Sequence, residues 1–325
     1  MLKKIALAFF ISMCMTVLTA ASVFAASISI ATGGTAGTYY PIGMAIAAII
    51  SENSDIQVTA ESANASVTNA NLIAQGEIEI AFCQADVAAW AHNGELMFEG
   101  NPLKNIRTIA ALYPETLQLV VSRQSGIRTV TDLKGKIVGV GALGSGTEGD
   151  ARAIFNTLGM SYDDMHVEFL DFSGISSRFK EDQIDAGFVV AGVPTSALVD
   201  LTSVKDVTLV NFDRNAMDRI RRANPFFLPN VVPAGTYRGI DTDITTPAVM
   251  ALLITNDSVP EELIYNFTKT LFENIGEVQK THVMAENIQL DTATNGLTAP
   301  LHPGAARYYK EKDIIYYNIN LYRVE

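Results

Sequence analysis

Three loops rich in glycine and hydroxyl residues carry the residues of this sequence best suited to chemistry. They span residues 33–40, 62–66 and 141–147, and each follows a predicted strand and precedes a predicted helix. Glycine lets the backbone approach a ligand closely, and serine and threonine hydroxyls are neutral hydrogen-bond donors. The N-terminus of a helix adds free N–H groups and the positive end of the helix dipole. These loops therefore predict a site for a small anion, held without any arginine or lysine of their own.

The candidate ligand-binding residues lie in these loops and at the ends of neighbouring strands. They are Thr35, Thr38, Tyr39, Asn64, Ser66, Gln84, Ser145, Gly146, Thr147, Gly192 and Val193. Two of them also have a purely structural interpretation. Ser145 and Glu148 have the spacing of a capping box, and Ser66 precedes a helix predicted to begin at Val67. A carboxylate is usually held by an arginine, and Arg123 and Arg152 are the nearest candidates for that role.

Enzyme motifs fit the sequence poorly. Residues 139–144 match a dinucleotide-binding fingerprint, but the loop continues to Thr147. The acidic residue that should end the next strand is displaced, because Asp163 and Asp164 precede that strand. The histidines lack metal-ligand spacing, and we interpret each as a surface or capping residue: His92, His166, His282 and His302. We expect no catalytic residue, metal or cofactor, and keep a cofactor-binding α/β enzyme as the alternative.

The N-terminus has the pattern of a secretory signal peptide. Lys3 and Lys4 precede an apolar run over residues 5–18, followed by small residues up to Ala25. The run is too short to span a bilayer. We expect cleavage after Ala25 and a periplasmic protein. A lipoprotein anchored at Cys14 is the alternative, which the bulky Met13 disfavours.

The charge balance indicates a freely diffusing acidic protein. The chain has 325 residues, with 23 basic and 35 acidic side chains, and loss of residues 1–25 leaves a net charge of −14. Such a charge disfavours nucleic acid and anionic membranes as partners, and we expect a monomer. Cys83 is then the single cysteine, and we interpret it as a buried hydrophobic residue rather than a reactive thiol.

A repeating strand–loop–helix pattern predicts an α/β fold with largely parallel strands. The predicted strands are residues 27–31, 57–60, 77–83, 136–140, 166–172 and 186–190. Two further apolar runs, 117–122 and 249–255, lack such a loop, and we interpret them as crossovers between two lobes. Lobe 1 is then residues 26–118 plus 250–325, and lobe 2 is residues 119–249.

Six stretches in order resemble the TAXI-type solute-binding proteins of tripartite ATP-independent periplasmic (TRAP) transporters. They are residues 32–41 (TGGTAGTYYP), 65–69 (ASVTN), 84–86 (QAD), 131–136 (TDLKGK), 144–147 (GSGT) and 302–311 (HPGAARYYKE). The resemblance extends nearly end to end. One departure lies at residues 63–65, where Ala-Asn-Ala replaces a pattern in which glycine often precedes the serine.

The resemblance implies a fold and a role. The fold is a two-lobed, type II periplasmic-binding-protein-like fold, in which each lobe is a sheet flanked by helices and two crossover strands form the hinge. The role is capture of a small organic anion, of the glutamate, glutamine or 2-oxoglutarate class, for the membrane subunits of a TRAP transporter. A module that senses the same ligand is a further alternative.

Overall fold

The computed structural model describes residues 26–315, so the predicted signal peptide and its cleavage site lie outside the described residues. The strands are β1 (Ala26–Ala31), β2 (Ile56–Glu61), β3 (Ile80–Gln84), β4 (Ile106–Ser122), β5 (Ile137–Gly139), β6 (His166–Glu168), β7 (Ala186–Ala191), β8 (Val207–Leu209), β9 (Leu228–Val232) and β10 (Ile244–Asn256). The α-helices are α1 (Tyr39–Asn53), α2 (Ser66–Gln75), α3 (Ala85–Asn93), α4 (Gly146–Leu158), α5 (Phe172–Lys180), α6 (Ser196–Val204), α7 (Arg214–Ala223), α8 (Glu261–Glu273), α9 (Ile275–Gln279) and α10 (Pro303–Glu311).

The strands form one curled mixed sheet in two halves, joined by the long strands β4 and β10. Its order is β2-β1-β3-β10-β4-β7-β5-β6, with β8 paired to β4 and β9 paired to β10. The pairs β1–β2, β1–β3, β5–β6 and β5–β7 are parallel, as the strand–loop–helix pattern predicts. At Thr116, β4 passes from β10 to β7, and at Ala248, β10 passes from β4 to β9. A division into two lobes near residues 118 and 250 remains a prediction.

Two strands are much longer than their apolar runs indicate. β4 begins at Ile106 rather than at residue 117, and β10 begins at Ile244 rather than at residue 249. Each contains a proline, which normally argues against a paired strand. Pro114 faces Met250 beside a register shift, so the irregular pairing there accommodates the missing N–H group.

One predicted strand is shorter than expected, because a helix begins inside it. Residues 166–172 were predicted as a strand, but β6 ends at Glu168 and α5 begins at Phe172. Asp171 caps that helix, its carboxylate accepting the N–H of Gly174 at 2.7 Å. A side chain that accepts a free N–H of the first turn favours the start of a helix, so the strand ends before this cap.

The hydrophobic core extends across both halves of the molecule. Trp90 of α3 is 2% exposed and belongs to the same cluster as Ile154 and Phe155 of α4. Helices α3 and α4 approach closely, since a β-carbon placed on Gly149 would lie 3.2 Å from the Trp90 ring. Cys83 is a buried free thiol, as predicted. Within residues 26–315, no helix has both the length and the apolar character needed to cross a membrane.

Candidate functional site

A cavity of about 220 Å³ lies between the two halves of the sheet. Residues 33–39 and 62–65 line it from the half that contains β1 to β3. Ala142, Ser145 and Thr147, with residues 171–173, line it from the other half. All four segments precede or begin a helix, namely α1, α2, α4 and α5. The cavity therefore lies where helix N-termini meet from both sides, although at α5 the carboxylate of Asp171, which also lines the cavity, already accepts the N–H of Gly174.

Seven of the eleven residues predicted from sequence line this cavity. They are Thr35, Thr38, Tyr39, Asn64, Gln84, Ser145 and Thr147. Their contact with a ligand remains a prediction. Ser145 has the capping role considered for it, because its hydroxyl oxygen accepts the N–H of Glu148 at 3.2 Å, and it also lines the cavity. The hydroxyl proton is then still available to a ligand.

The other four predicted residues lie behind the cavity wall. Ser66 Oγ accepts the N–H of Gln84 at 3.1 Å, so this hydroxyl fixes the wall rather than forming it. Nor does Ser66 cap α2, since Ala65 occupies the cap position. Gly146 packs against the Gln84 side chain, and a β-carbon there would lie 1.4 Å from Gln84 Oε1.

Gly192 and Val193 support the cavity rather than line it. The N–H of Gly192 donates to Thr38 Oγ1 at 3.1 Å, which ties the loop after β7 to the start of α1. Val193 is partly buried against the apolar cluster that contains Leu198 and Tyr237. A position directly after a strand end was the only sequence signal for both residues, and that signal does not distinguish a lining residue from a supporting one.

A carboxyl group missed by the sequence prediction forms part of the cavity wall. Glu115 of β4 lines the cavity and is only 3% exposed. Its Oε2 accepts the hydroxyl of Tyr39 at 2.5 Å. Desolvation by burial raises the pKa of Glu115 to about 8, against a lowering by the Tyr39 hydrogen bond. Glu115 follows a proline in the middle of a long strand, so no strand-end loop marks it in the sequence.

Neither arginine considered for the anion reaches the cavity. Arg152 pairs with Glu148, its Nη2 lying 2.5 Å from Oε1, and its guanidinium stacks over the Tyr162 ring. Arg123 pairs with Asp206 at 2.9 Å. Over the described residues, the lining contains no arginine or lysine. An anion here would be held by N–H and hydroxyl groups, close to the carboxyl of Glu115.

Polar contacts between the two halves flank the cavity. The N–H of Thr68 in α2 donates to the carbonyl of Gly144 at 3.0 Å. The Ser196 hydroxyl at the start of α6 donates to the carbonyl of Ala36 at 2.8 Å. Both contacts join loops that flank the cavity, so they hold the two halves together beside it.

Within residues 26–315, no group of three or more His, Cys, Asp or Glu side chains is arranged to hold a metal ion. His302 caps α10, its Nδ1 accepting the N–H of Gly304 at 3.2 Å, which is the capping role predicted for it.

One solved structure supports the predicted fold class, and a second shows a weaker likeness. A protein from Bordetella bronchiseptica RB50 has a TM-score of 0.56 at 14% identity, covering 89% of this chain and 98% of its own. The alkanesulfonate-binding protein SsuA from Xanthomonas axonopodis pv. citri, bound to MOPS, has a TM-score of 0.48 at 14% identity, covering 79% of this chain and 73% of its own. The curled sheet flanked by helices is that of type II-like periplasmic solute-binding folds.

A family model also matches most of the sequence. The match covers residues 30–312, which include both halves of the sheet and every segment that lines the cavity. The chain belongs to the NMT1-like family.

Proposed function

We propose that this chain is the substrate-binding component of an import transporter and captures a small organic anion in this cavity. The observation that carries the proposal is the convergence of four helix starts from two halves of the molecule on one partly open cavity. Ligands of open α/β sheets bind at the carboxyl ends of strands, where helix N-termini supply N–H donors. At about 220 Å³ the cavity lies below the range of roughly 300–1,000 Å³ typical of drug-sized ligands, which favours a small metabolite.

The lining supports an amino acid over an oxo acid within the predicted class. A ligand carboxylate would accept from the hydroxyl of Ser145 and from the N–H and hydroxyl of Thr147 at the start of α4, since the N–H of Ser145 already donates to the carbonyl of Ala142 at 3.0 Å. Glu115 Oε2 is occupied by Tyr39, and Oε1 has no hydrogen-bond partner among the described residues. With its pKa raised to about 8, Glu115 is protonated at neutral pH in the unliganded protein. An ammonium group can displace that proton and form a charge-assisted hydrogen bond with the buried carboxylate, whereas a keto group can only accept a weaker hydrogen bond from the neutral carboxyl. L-Glutamate therefore fits this lining better than 2-oxoglutarate.

A thermal-shift screen of organic acids and amino acids, followed by calorimetry, tests the proposal. We expect a 1:1 complex with an amino acid and weaker binding of the matching 2-oxo acid. The pair differs only in the group expected to face Glu115, so each ligand is the control for the other. No binding by any member of either class would contradict the proposal.

The resemblance to TAXI-type proteins supports a TRAP transporter as the partner, and the proposed site of action is the periplasm. Uptake assays with the membrane subunits in liposomes test the energy source. An imposed ion gradient should drive uptake without ATP if the partner is a TRAP transporter. Uptake that requires ATP would assign the chain to another class of importer. If the protein binds its ligand but the membrane subunits do not transport that ligand, a sensing role is favoured over transport.

The enzyme alternative has less structural support. Residues 139–144 pass from β5 into the loop before α4, where Ala142 borders the small cavity rather than a crevice long enough for a dinucleotide. Native mass spectrometry of protein purified from the periplasm discriminates between the two. A small metabolite is expected, and a bound nucleotide would favour the enzyme.

A further inference from the structure

Two buried carboxyl groups from opposite halves of the molecule meet beneath the cavity. Asp86 is the second residue of α3, and Asp150 lies in the second turn of α4. Both side chains are 0% exposed. Gln84, two residues before Asp86, donates its Nε2 to Asp150 Oδ2 at 2.6 Å, which brings the two carboxyl groups to the same buried place. Neither residue lines the ligand cavity, so the pair is separate from the site described above.

One more proton would complete the hydrogen bonds around these two carboxyl groups. Asp86 Oδ1 accepts the N–H of Val87 at 2.8 Å, and Asp150 Oδ2 accepts Nε2 of Gln84 at 2.6 Å. The remaining oxygens, Asp86 Oδ2 and Asp150 Oδ1, are buried without a hydrogen-bond partner. Two ionised carboxylates cannot satisfy each other, because both are acceptors only. A single proton between them would satisfy both oxygens and remove the repulsion between two buried like charges.

The surroundings favour retention of that proton. Burial raises the pKa of Asp150 well above its ordinary value, and the neighbouring Asp86 raises it further. Burial also raises the pKa of Asp86. Glu115 of β4 also raises the pKa of Asp150, and Asp86 in turn raises the pKa of the Cys83 thiol in β3.

The nearby cations are committed elsewhere and do not neutralise the pair. On α4 itself, Arg152 is held by Glu148 and the Tyr162 ring. Helix α7 packs against α4, but its Arg219 donates to the carbonyl of Thr157, near the C-terminal end of α4. The charge of a doubly ionised pair is therefore left unbalanced.

We propose that Asp86 and Asp150 form a proton-dependent latch, in which the two halves close stably when one proton is shared between these carboxyl groups and release it when they open. The pair joins α3 of one half to α4 of the other, so opening separates the groups and returns each to water. This latch is separate from ligand recognition, so it can be tested on the protein without a ligand.

The direction of the pH dependence follows from proton counting. In the open form both aspartates are ionised above their ordinary pKa of about 4. The closed form holds one extra proton up to the raised pKa of the pair. Between these two pKa values, the ratio of closed to open molecules falls about tenfold for each unit of rising pH. Above the raised pKa the ratio stays low and no longer changes.

Small-angle scattering of the unliganded protein from about pH 5 to pH 9 measures this directly. The radius of gyration of the parent should increase with pH. Asp150→Asn should remain compact throughout, because its amide oxygen accepts from Gln84 and its amide nitrogen donates to Asp86 in place of the proton. Asp86→Asn should behave in the same way. Asp241→Asn, at an exposed aspartate, is the matched control and should follow the parent.

Circular dichroism verifies that each variant is folded, and Glu115→Gln separates the latch from the cavity carboxyl. We expect Glu115→Gln to retain the pH-dependent expansion of the parent. A radius of gyration that does not change with pH in the parent overturns the latch. So does an Asp150→Asn protein that expands as the parent does, or loss of the expansion in Glu115→Gln alone.

Discussion

At the scale of single residues, the backbone of the loop before α2 is strained at Ala65. Ala65 has φ 65° and ψ −149°, a backbone conformation that glycine adopts freely and other residues rarely do. This is the position where the TAXI-type pattern often has glycine. The neighbouring Ser66 holds the cavity wall through Gln84, so the strain is stored directly beside the candidate site.

Ala65→Gly should therefore stabilise the protein. Relief of the strained conformation is worth about 1–3 kcal/mol, and the greater freedom of glycine in the unfolded chain removes about 0.4–1 kcal/mol. We expect a net gain of about 1 kcal/mol in the free energy of unfolding, measured by denaturant titration. Ala63→Gly is the matched control two residues away, since Ala63 does not have positive φ. The control should lose stability, and a loss in Ala65→Gly as well would contradict the strain assigned to it.

Glu115 is the residue on which the proposed ligand class depends. Glu115→Gln should weaken binding of an amino acid about ten- to hundredfold, because hydrogen bonds to charged groups contribute roughly 1.5–3 kcal/mol. Binding of the matching 2-oxo acid should change little. The pKa of about 8 means that Glu115 is protonated at lower pH in the unliganded protein, and an ammonium ligand must displace that proton.

The pH dependence of binding gives a second measurement on the same variant. Relative to Glu115→Gln, the parent should gain up to about tenfold in amino-acid affinity for each pH unit up to about 8. Calorimetry at several pH values measures both the affinity and this slope. Equal losses for the amino acid and the oxo acid would show that Glu115 does not recognise the ammonium group.

At the scale of secondary structure elements, local sequence patterns predicted the strands and helices better than they predicted which residues line the cavity. The strand–loop–helix units that contain β1, β2 and β5 were predictable, because glycine-rich loops and apolar periodicity mark them in the sequence. The full length of β4 was not, since Pro114 interrupts its pattern and only pairing with β10 maintains the strand. Glu115 was missed for the same reason. Gly146 was predicted as a ligand contact because the sequence does not show that Gln84 packs against it.

The first turn of α4 tests the proposed role of helix N-termini. Thr147→Ala removes a cavity hydroxyl and should weaken ligand binding about tenfold or more, with an unchanged melting temperature. Ser145→Ala should weaken binding and also lower stability by about 1 kcal/mol, because Ser145 caps the helix. Calorimetry together with thermal melts separates the two effects. Parent-like affinity in both variants would exclude this turn as the anion site.

At the scale of the whole molecule, the long strands β4 and β10 run through both halves of the sheet and connect them. They exchange partners at Thr116 and Ala248, close to the predicted lobe boundaries, and we propose them as the hinge. The contacts between the halves include polar ones beside the cavity, such as Thr68 with Gly144 and Ser196 with Ala36, and the apolar packing of α3 on α4. Hinge closure about such strands explains how a buried cavity admits a ligand.

The central claim is that the two halves close on a small organic anion at the convergence of four helix starts. A crystal structure of the protein grown with its best-binding amino acid tests this claim most directly. We expect the ligand carboxylate within hydrogen-bond distance of the Ser145 hydroxyl and of the N–H and hydroxyl groups of Thr147, and the ammonium group at Glu115. A ligand bound elsewhere on the protein, or bound in the cavity without contact to the first turn of α4, would contradict the account.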